Sequence, residues 1–292
     1  MTRSKARTAT AKWLALSLLA IPVAVSGLRA NNKDNPPKWT LVWSDEFNAP
    51  DGSMPDPKKW TIIQDGSGFG NQELEYYTER PSNVHVEGGN LAITARKESY
   101  KGPDGVAHDY TSARLQTAGH FEQKYGRFEA RIKIPKGQGI WPAFWMLGDD
   151  VASAGWPGCG EIDIMENVGF EPHKVHGTLH GPGYSGIDPL TGAYTLPNNQ
   201  NVSDDFHVFA VEWEPGVIRF YMDEHLYETQ TVDSIPSSKR WVFDHPFYIL
   251  LNVAVGGMWP GNPNSATPFP ATMLVDYVRV YSLNTAVLNA TK

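Results

Sequence analysis

YGRFEARIKI, residues 125–134, decides the fold class. Phe128, Ala130, Ile132 and Ile134 are apolar, and Arg127, Glu129, Arg131 and Lys133 stand between them. Successive side chains of a strand point to opposite faces, so this alternation describes a half-buried β-strand. The pattern recurs outward along the chain. In FHVFAVEWE (206–214), Phe209, Val211 and Trp213 alternate with Val208, Ala210 and Glu212, and VDYVRVY (275–281) alternates likewise. Clusters of Gly, Pro, Asn and Asp separate such segments: DGSGFGN (65–71), KGPDG (101–105) and PGNPNSATPFP (260–270). No long segment has helical periodicity, and there is no internal repeat. The expected fold class is all-β, an antiparallel sandwich of two sheets in one domain.

Composition agrees. Gly (27) and Pro (22) make up about 17% of 292 residues, against a usual value of roughly 12%. Lys and Arg total 25 against 32 Asp and Glu, a net charge of −7 with no basic block. A nucleic-acid partner is therefore not expected. Ten Trp and twelve Tyr are enough to fill a core and still supply flat faces for pyranose rings.

The N-terminus reads as a leader. Arg3, Lys5, Arg7 and Lys12 precede WLALSLLAIPVAVSG (13–27). That is a basic region followed by an apolar stretch of signal-peptide length, shorter than the roughly 20 residues of a membrane span. Residues 1–30 are expected to be a signal peptide, the alternative being an uncleaved anchor, and 31–37 a short linker. Residues 38–283 are expected to form the one folded domain and 284–292 a tail. The mature chain should be secreted or periplasmic, free of the membrane and monomeric. Cys159 is the single cysteine, so no internal disulfide can form. It lies two residues before Glu161, but no Cys/His pairing supports a nucleophile, and a small buried residue is the better reading.

GCGEIDIMENVG (158–169) sets three acids, Glu161, Asp163 and Glu166, among Ile162, Ile164 and Met165. On a strand, Glu161 and Asp163 share one face, whereas Glu166 has the opposite parity. One β-bulge near Ile164 and Met165 would restore Glu166 to the face of the other two. Its Cα would then lie roughly 13 Å from that of Glu161. Two glutamates leaning together could reach the separation of about 5 to 5.5 Å used by retaining glycosidases. Asp163 between them would raise at least one pKa, as a general acid at neutral pH requires. Three acids alone also fit an exposed acidic face or a calcium cluster. Trp141 and Trp145 in WPAFWMLG (141–148), with two histidines in HGTLHG (176–181), favour a carbohydrate cleft.

The order YGRFEARIKIPKGQGIWPAFWMLG, WPGCGEIDIMENVG, HGTLHG, LNVAVGGMWPGNP and VDYVRVY resembles glycoside hydrolase family 16, and within it the laminarinases. The resemblance covers residues 38–282. It implies a jelly-roll (concanavalin A-like) sandwich of two curved antiparallel sheets, with β-glucan bound along the concave face and no catalytic cofactor. It also implies Glu161 as nucleophile, Glu166 as acid/base and Asp163 as assisting carboxylate. Trp141, Trp145, Asn71, Glu75, Arg114, His180, Asn252 and Trp259 match substrate-binding positions, although Gln72 stands where the family often has Asn. Glu46, Gly89 and Asp276 match a structural calcium site on the convex side. The implied activity is retaining endo-hydrolysis of β-1,3-glucan. Mixed-linkage glucan, a galactan, transglycosylation and a non-catalytic glucan-binding domain are the alternatives.

Overall fold

The structure, a computed structural model, describes Met1 and residues 38–103 and 105–284. The expected signal peptide, linker and residues 285–292 of the tail lie outside the described residues. Seventeen strands follow in chain order: β1 (Trp39–Asp45), β2 (Thr61–Ile63), β3 (Glu75–Tyr77), β4 (Val84–Glu87), β5 (Asn90–Lys101), β6 (Ala107–Ser112), β7 (Arg114–Gln116), β8 (Gly126–Lys133), β9 (Ile140–Gly148), β10 (Glu161–Glu166), β11 (Lys174–His180), β12 (Leu190–Thr195), β13 (His207–Glu214), β14 (Val217–Met222), β15 (His225–Thr231), β16 (Phe247–Val255) and β17 (Ala271–Leu283). The one α-helix among the described residues is α1 (Val151–Ala154), too short to cross a membrane.

The strands form two sheets. The first runs β15-β14-β13-β8-β17-β5-β6-β3, with β1 added on β17 and β4 on β5; the second runs β12-β11-β10-β9-β16-β7-β2. The pairings are antiparallel except β3 with β6, which are parallel. The all-β jelly-roll sandwich expected from the sequence is therefore present.

On β8, Phe128, Ala130 and Ile132 are fully buried, as the alternation requires. They join one large core with Phe209, Val211 and Trp213 of β13 and Ile249, Leu251 and Val253 of β16. Sealing side chains of this size from water stabilises by about 1.5–3 kcal/mol each. The opposite face of β8 departs from the expectation of a solvated strand surface. Arg127 and Glu129 are also buried. Arg127 bonds Glu129 at 2.8 Å and Glu224 at 2.6 Å, and Tyr281 donates to Glu129. Charged groups are buried only when paired in this way.

β10 lies inside the second sheet, between β9 and β11. Asp163 pairs with Trp145 of β9, but the next β9 residue, Phe144, pairs with Met165. On the other side, Asp163 pairs with Thr178 and Glu166 with His176. Two residues of β10, Ile164 and Met165, thus occupy one place in each ladder. This is the bulge that side-chain parity required.

Candidate active site

Residues paired directly across a sheet share a face, and the second sheet sets its candidate groups in rows. Glu166 pairs with Ala143, Ala143 with Asn252 and Asn252 with Arg114. One step along, Asp163 pairs with Trp145; at the end of β10, Glu161 pairs with His180. Glu161, Asp163 and Glu166 therefore lie on one face, and Ile162, Ile164 and Met165 are fully buried in the core. Gly160 opens the strand at φ +74°, where a Cβ would stand 2.9 Å from Phe247 and Val242. Only glycine meets both demands.

Each glutamate is held by an indole. Trp156 Nε1 donates to Glu161 Oε2 at 2.9 Å, and Trp141 Nε1 donates to Glu166 Oε1 at 3.0 Å. His180 Nε2 stands 3.3 Å from Asp163 Oδ2 and 3.7 Å from Glu161 Oε1. The Gly186 amide donates to His180 Nδ1, so Nδ1 is the acceptor and the neutral ring carries its proton on Nε2, facing the carboxylates. Trp145 Nε1 donates to Asn252 Oδ1 at 2.7 Å, and Asn252 Nδ2 donates to the Tyr77 hydroxyl. Tyr77 in turn donates to Glu73 Oε2, and Asn71 Nδ2 donates to Glu73 Oε1. Arg114 lies between two rings, its Cζ 4.1 Å from the Phe69 centroid and 4.7 Å from that of Trp145. Trp259 packs edge-on against Trp141 and His176, walling the side next to Glu166.

Burial raises all three carboxyl pKa values. Glu161 is pushed up to about 8, first by burial and then by Asp163, against the opposing pull of His180, Trp156 and Arg114. Burial also pushes Asp163 up to about 8. Glu166 rises well above the usual range, through burial and the charges of both Asp163 and Glu161. All three carboxyls therefore hold their protons above the usual carboxylate range, and the trio titrates as a unit.

Among the sequence-predicted groups, Trp141, Trp145, Arg114, His180, Asn252 and Trp259 assemble around the three acids, and Asn71 connects through Glu73 and Tyr77. Glu75, read as bordering the cleft, lies behind its floor: it is 1% exposed and its Oε2 accepts the Val255 amide. The whole of β3 is buried, so strand parity leaves this side chain no open face. Sequence reading missed Trp156, Glu73 and Phe69. The signal for Trp156 was its place five residues before Glu161. Cys159 is fully buried with Leu147, Tyr248 and Leu250, and burial pushes its thiol up to about 11.

The trio of the expected calcium site lies on or next to neighbouring strands of the first sheet: Glu46 follows β1, Gly89 precedes β5 and Asp276 is on β17, where Asp45 pairs with Val278 and Leu91 with Val275. Both Glu46 oxygens are taken by Arg279, and Asp276 Oδ2 by Arg131. With these carboxylates already neutralised, a calcium ion there would rest on backbone carbonyl oxygens.

A sandwich with this acidic, indole-lined strand defines a class, the carbohydrate-cleaving jelly rolls, and sequence comparison narrows it. The profile of Glycosyl hydrolases family 16 matches residues 71–279. The chain belongs to that family. It is 45% identical to a beta-glucanase of Rhodothermus marinus, over 90% of this chain and 92% of the relative. The crystal structure of an endo-beta-1,3-glucanase from Pyrococcus furiosus superposes with a TM-score of 0.80 at 50% identity, covering 84% of this chain and 95% of that one. The laminarinase catalytic domain of Thermotoga maritima gives 0.80 at 48%, covering 85% and 100%.

Proposed function

We propose that the protein is a retaining endo-glucanase that hydrolyses internal β-1,3-glucosidic bonds of laminarin-type glucans. The supporting observation is the trio on β10, where one face carries two glutamates, each held by its own indole N–H, with Asp163 between them. Glu166, kept protonated by burial and by the neighbouring charges of Asp163 and Glu161, donates its proton to the leaving glycosidic oxygen while Glu161 attacks the anomeric carbon. The resulting glycosyl ester is cleaved by water, which gives its proton back to Glu166. Two inversions leave the anomeric configuration unchanged. Asp163 keeps the acid protonated by repulsion, and the His180 N–H steadies the charge on Asp163 and Glu161. Family 16 glucanases use no catalytic cofactor, and Glu166 with the attacking water accounts for every proton the two steps move. All come from one chain, so a monomer suffices.

A polymer of this size does not enter cells, so the proposal includes export directed by residues 1–30. It also includes a weakly bound calcium ion on the carbonyls of Glu46, Gly89 and Asp276, serving the fold alone. Incubation with laminarin tests the reading. New reducing ends should appear as short oligosaccharides, and the first product seen by NMR should be the β-anomer. An α-anomer would overturn retention. Faster cleavage of agarose or carrageenan would overturn the substrate, and no cleavage of any glucan would leave a binding domain.

A further inference from the structure

We propose that Asp149, Asp150 and His245 form a site for a divalent metal ion of the zinc class, apart from the catalytic trio. One ligand atom from each lies within 4.8 Å of the others. Asp150 Oδ1 stands 3.2 Å from His245 Nε2. These two atoms are sealed from solvent, and their geometry makes no hydrogen bond, with each other or with anything else. Zinc binds nitrogen and carboxylate oxygen at about 2.0–2.1 Å, so two ligands on its tetrahedron stand about 3.3–3.4 Å apart. The pair already has the separation that such an ion imposes. Asp149, the exposed member, supplies a third ligand and leaves a fourth position for water.

The surroundings fit. Asp149 and His245 sit at adjoining ends of β9 and β16, where the Asp149 amide donates to Pro246 O at 3.0 Å. This holds the first ligand before any ion arrives. The other ring nitrogen, His245 Nδ1, has Asp244 Oδ1 at 3.8 Å; metal-bound histidines commonly face a carboxylate there. Gly148 leaves room for the imidazole, since a Cβ at that position would lie 2.6 Å from His245 Nε2. Two carboxylates and an imidazole suit zinc and its neighbours. Calcium prefers six to eight oxygens. The ion would pin the start of segment 149–160, which carries Trp156 to Glu161.

The test is thermal unfolding of the full chain with and without Zn²⁺. Glu161, Asp163 and His180 also converge, so the measurement uses a Glu161→Gln background, in which that second place is weakened. Zn²⁺ at a hundredfold excess over Kd should raise Tm by roughly 5 °C, whereas Ca²⁺ at the same concentration should not. Co²⁺ should give the strong visible absorption of a tetrahedral site. Adding His245→Ala, or the milder Asp149→Asn, should abolish or weaken both signals, each variant being compared with its own metal-free Tm so that a lowered baseline does not matter. No Zn²⁺ shift, an equal shift after His245→Ala, or a pale octahedral Co²⁺ spectrum would overturn the site. So would a loss of metal-free Tm in Asp150→Asn with no Zn²⁺ response in the parent, which marks an ion pair alone.

Discussion

Trp156 and Glu161 meet through one hydrogen bond, indole Nε1 to carboxylate Oε2 at 2.9 Å, across a turn five residues long. An N–H donor favours the charged form of the acid it touches. The ring is half exposed, so phenylalanine can replace it without opening the core. A bond to a charged group is worth about 1.5–3 kcal/mol. Trp156→Phe should therefore lower kcat roughly 10- to 100-fold, with a smaller change in KM. Without the donor the Glu161 pKa rises further, so the acidic limb of the pH–rate profile should move to higher pH. An unchanged profile with a raised KM would mark the ring as a sugar platform only.

The two glutamates should fail differently. Glu161→Ala removes the attacking oxygen and should lose nearly all activity on any substrate. Glu166→Ala should retain activity on a dinitrophenyl glycoside, whose leaving group needs no proton. Azide should accelerate it and yield the β-glycosyl azide. If Glu161→Ala gave that product and Glu166→Ala did not, the roles would be reversed.

Asp163 acts on Glu166 by repulsion. Asp163→Asn removes that charge, lowers the acid's pKa, and should shift the alkaline limb to lower pH while slowing turnover. Stability should respond with the opposite benefit. A carboxyl whose pKa is raised on folding contributes stability fully below its unfolded value, near 4.5 for Glu, and loses it as pH rises through the folded value. For Glu161 that window runs from about 4.5 to about 8. Glu161→Gln should therefore melt higher than wild type at pH 9, by about 2–8 °C for a gain of roughly 1–2 kcal/mol. The difference should vanish at pH 4, and scanning calorimetry at the two pH values decides it.

Calcium, if held by Glu46, Gly89 and Asp276, stabilises by binding the folded chain only. EDTA should lower Tm yet leave the rate on laminarin near normal well below melting. No change in Tm, with no co-purified metal, would remove the ion from the proposal.

The sheets and the bulge were legible because both follow from parity. Alternation in 125–134 has one strand solution, and three acids among apolar residues have one face to share if Glu166 is moved by one place. Less legible were features set by contacts distant in sequence. Nothing in Arg127 and Glu129 announces that Glu224 and Tyr281 will cover them. Glu75 turns inward because β3 is covered on both faces, and Trp156 reaches Glu161 only because the intervening turn brings the ring back over the strand. Phe69 adopts φ +46°, a backbone state that pattern reading does not assign to phenylalanine. It places the ring over Arg114.

The bulge in β10 also bears on how such a protein can diversify. The relative placement of Glu161 and Glu166 is set by counting residues through a strand hydrogen-bonded on both sides. Deleting Ile164 would turn Glu166 into the core, and adding one residue would do the same. Segments such as 149–160 and 256–270 lie between strands, so a residue added there leaves the faces of Glu161 and Glu166 unchanged. Lineages descended from such a chain can therefore change the polymer they grip through loop length while their bond-breaking apparatus stays fixed. Single-residue deletion scanning should reproduce that division, with sharp intolerance across 161–166 and graded effects in the loops.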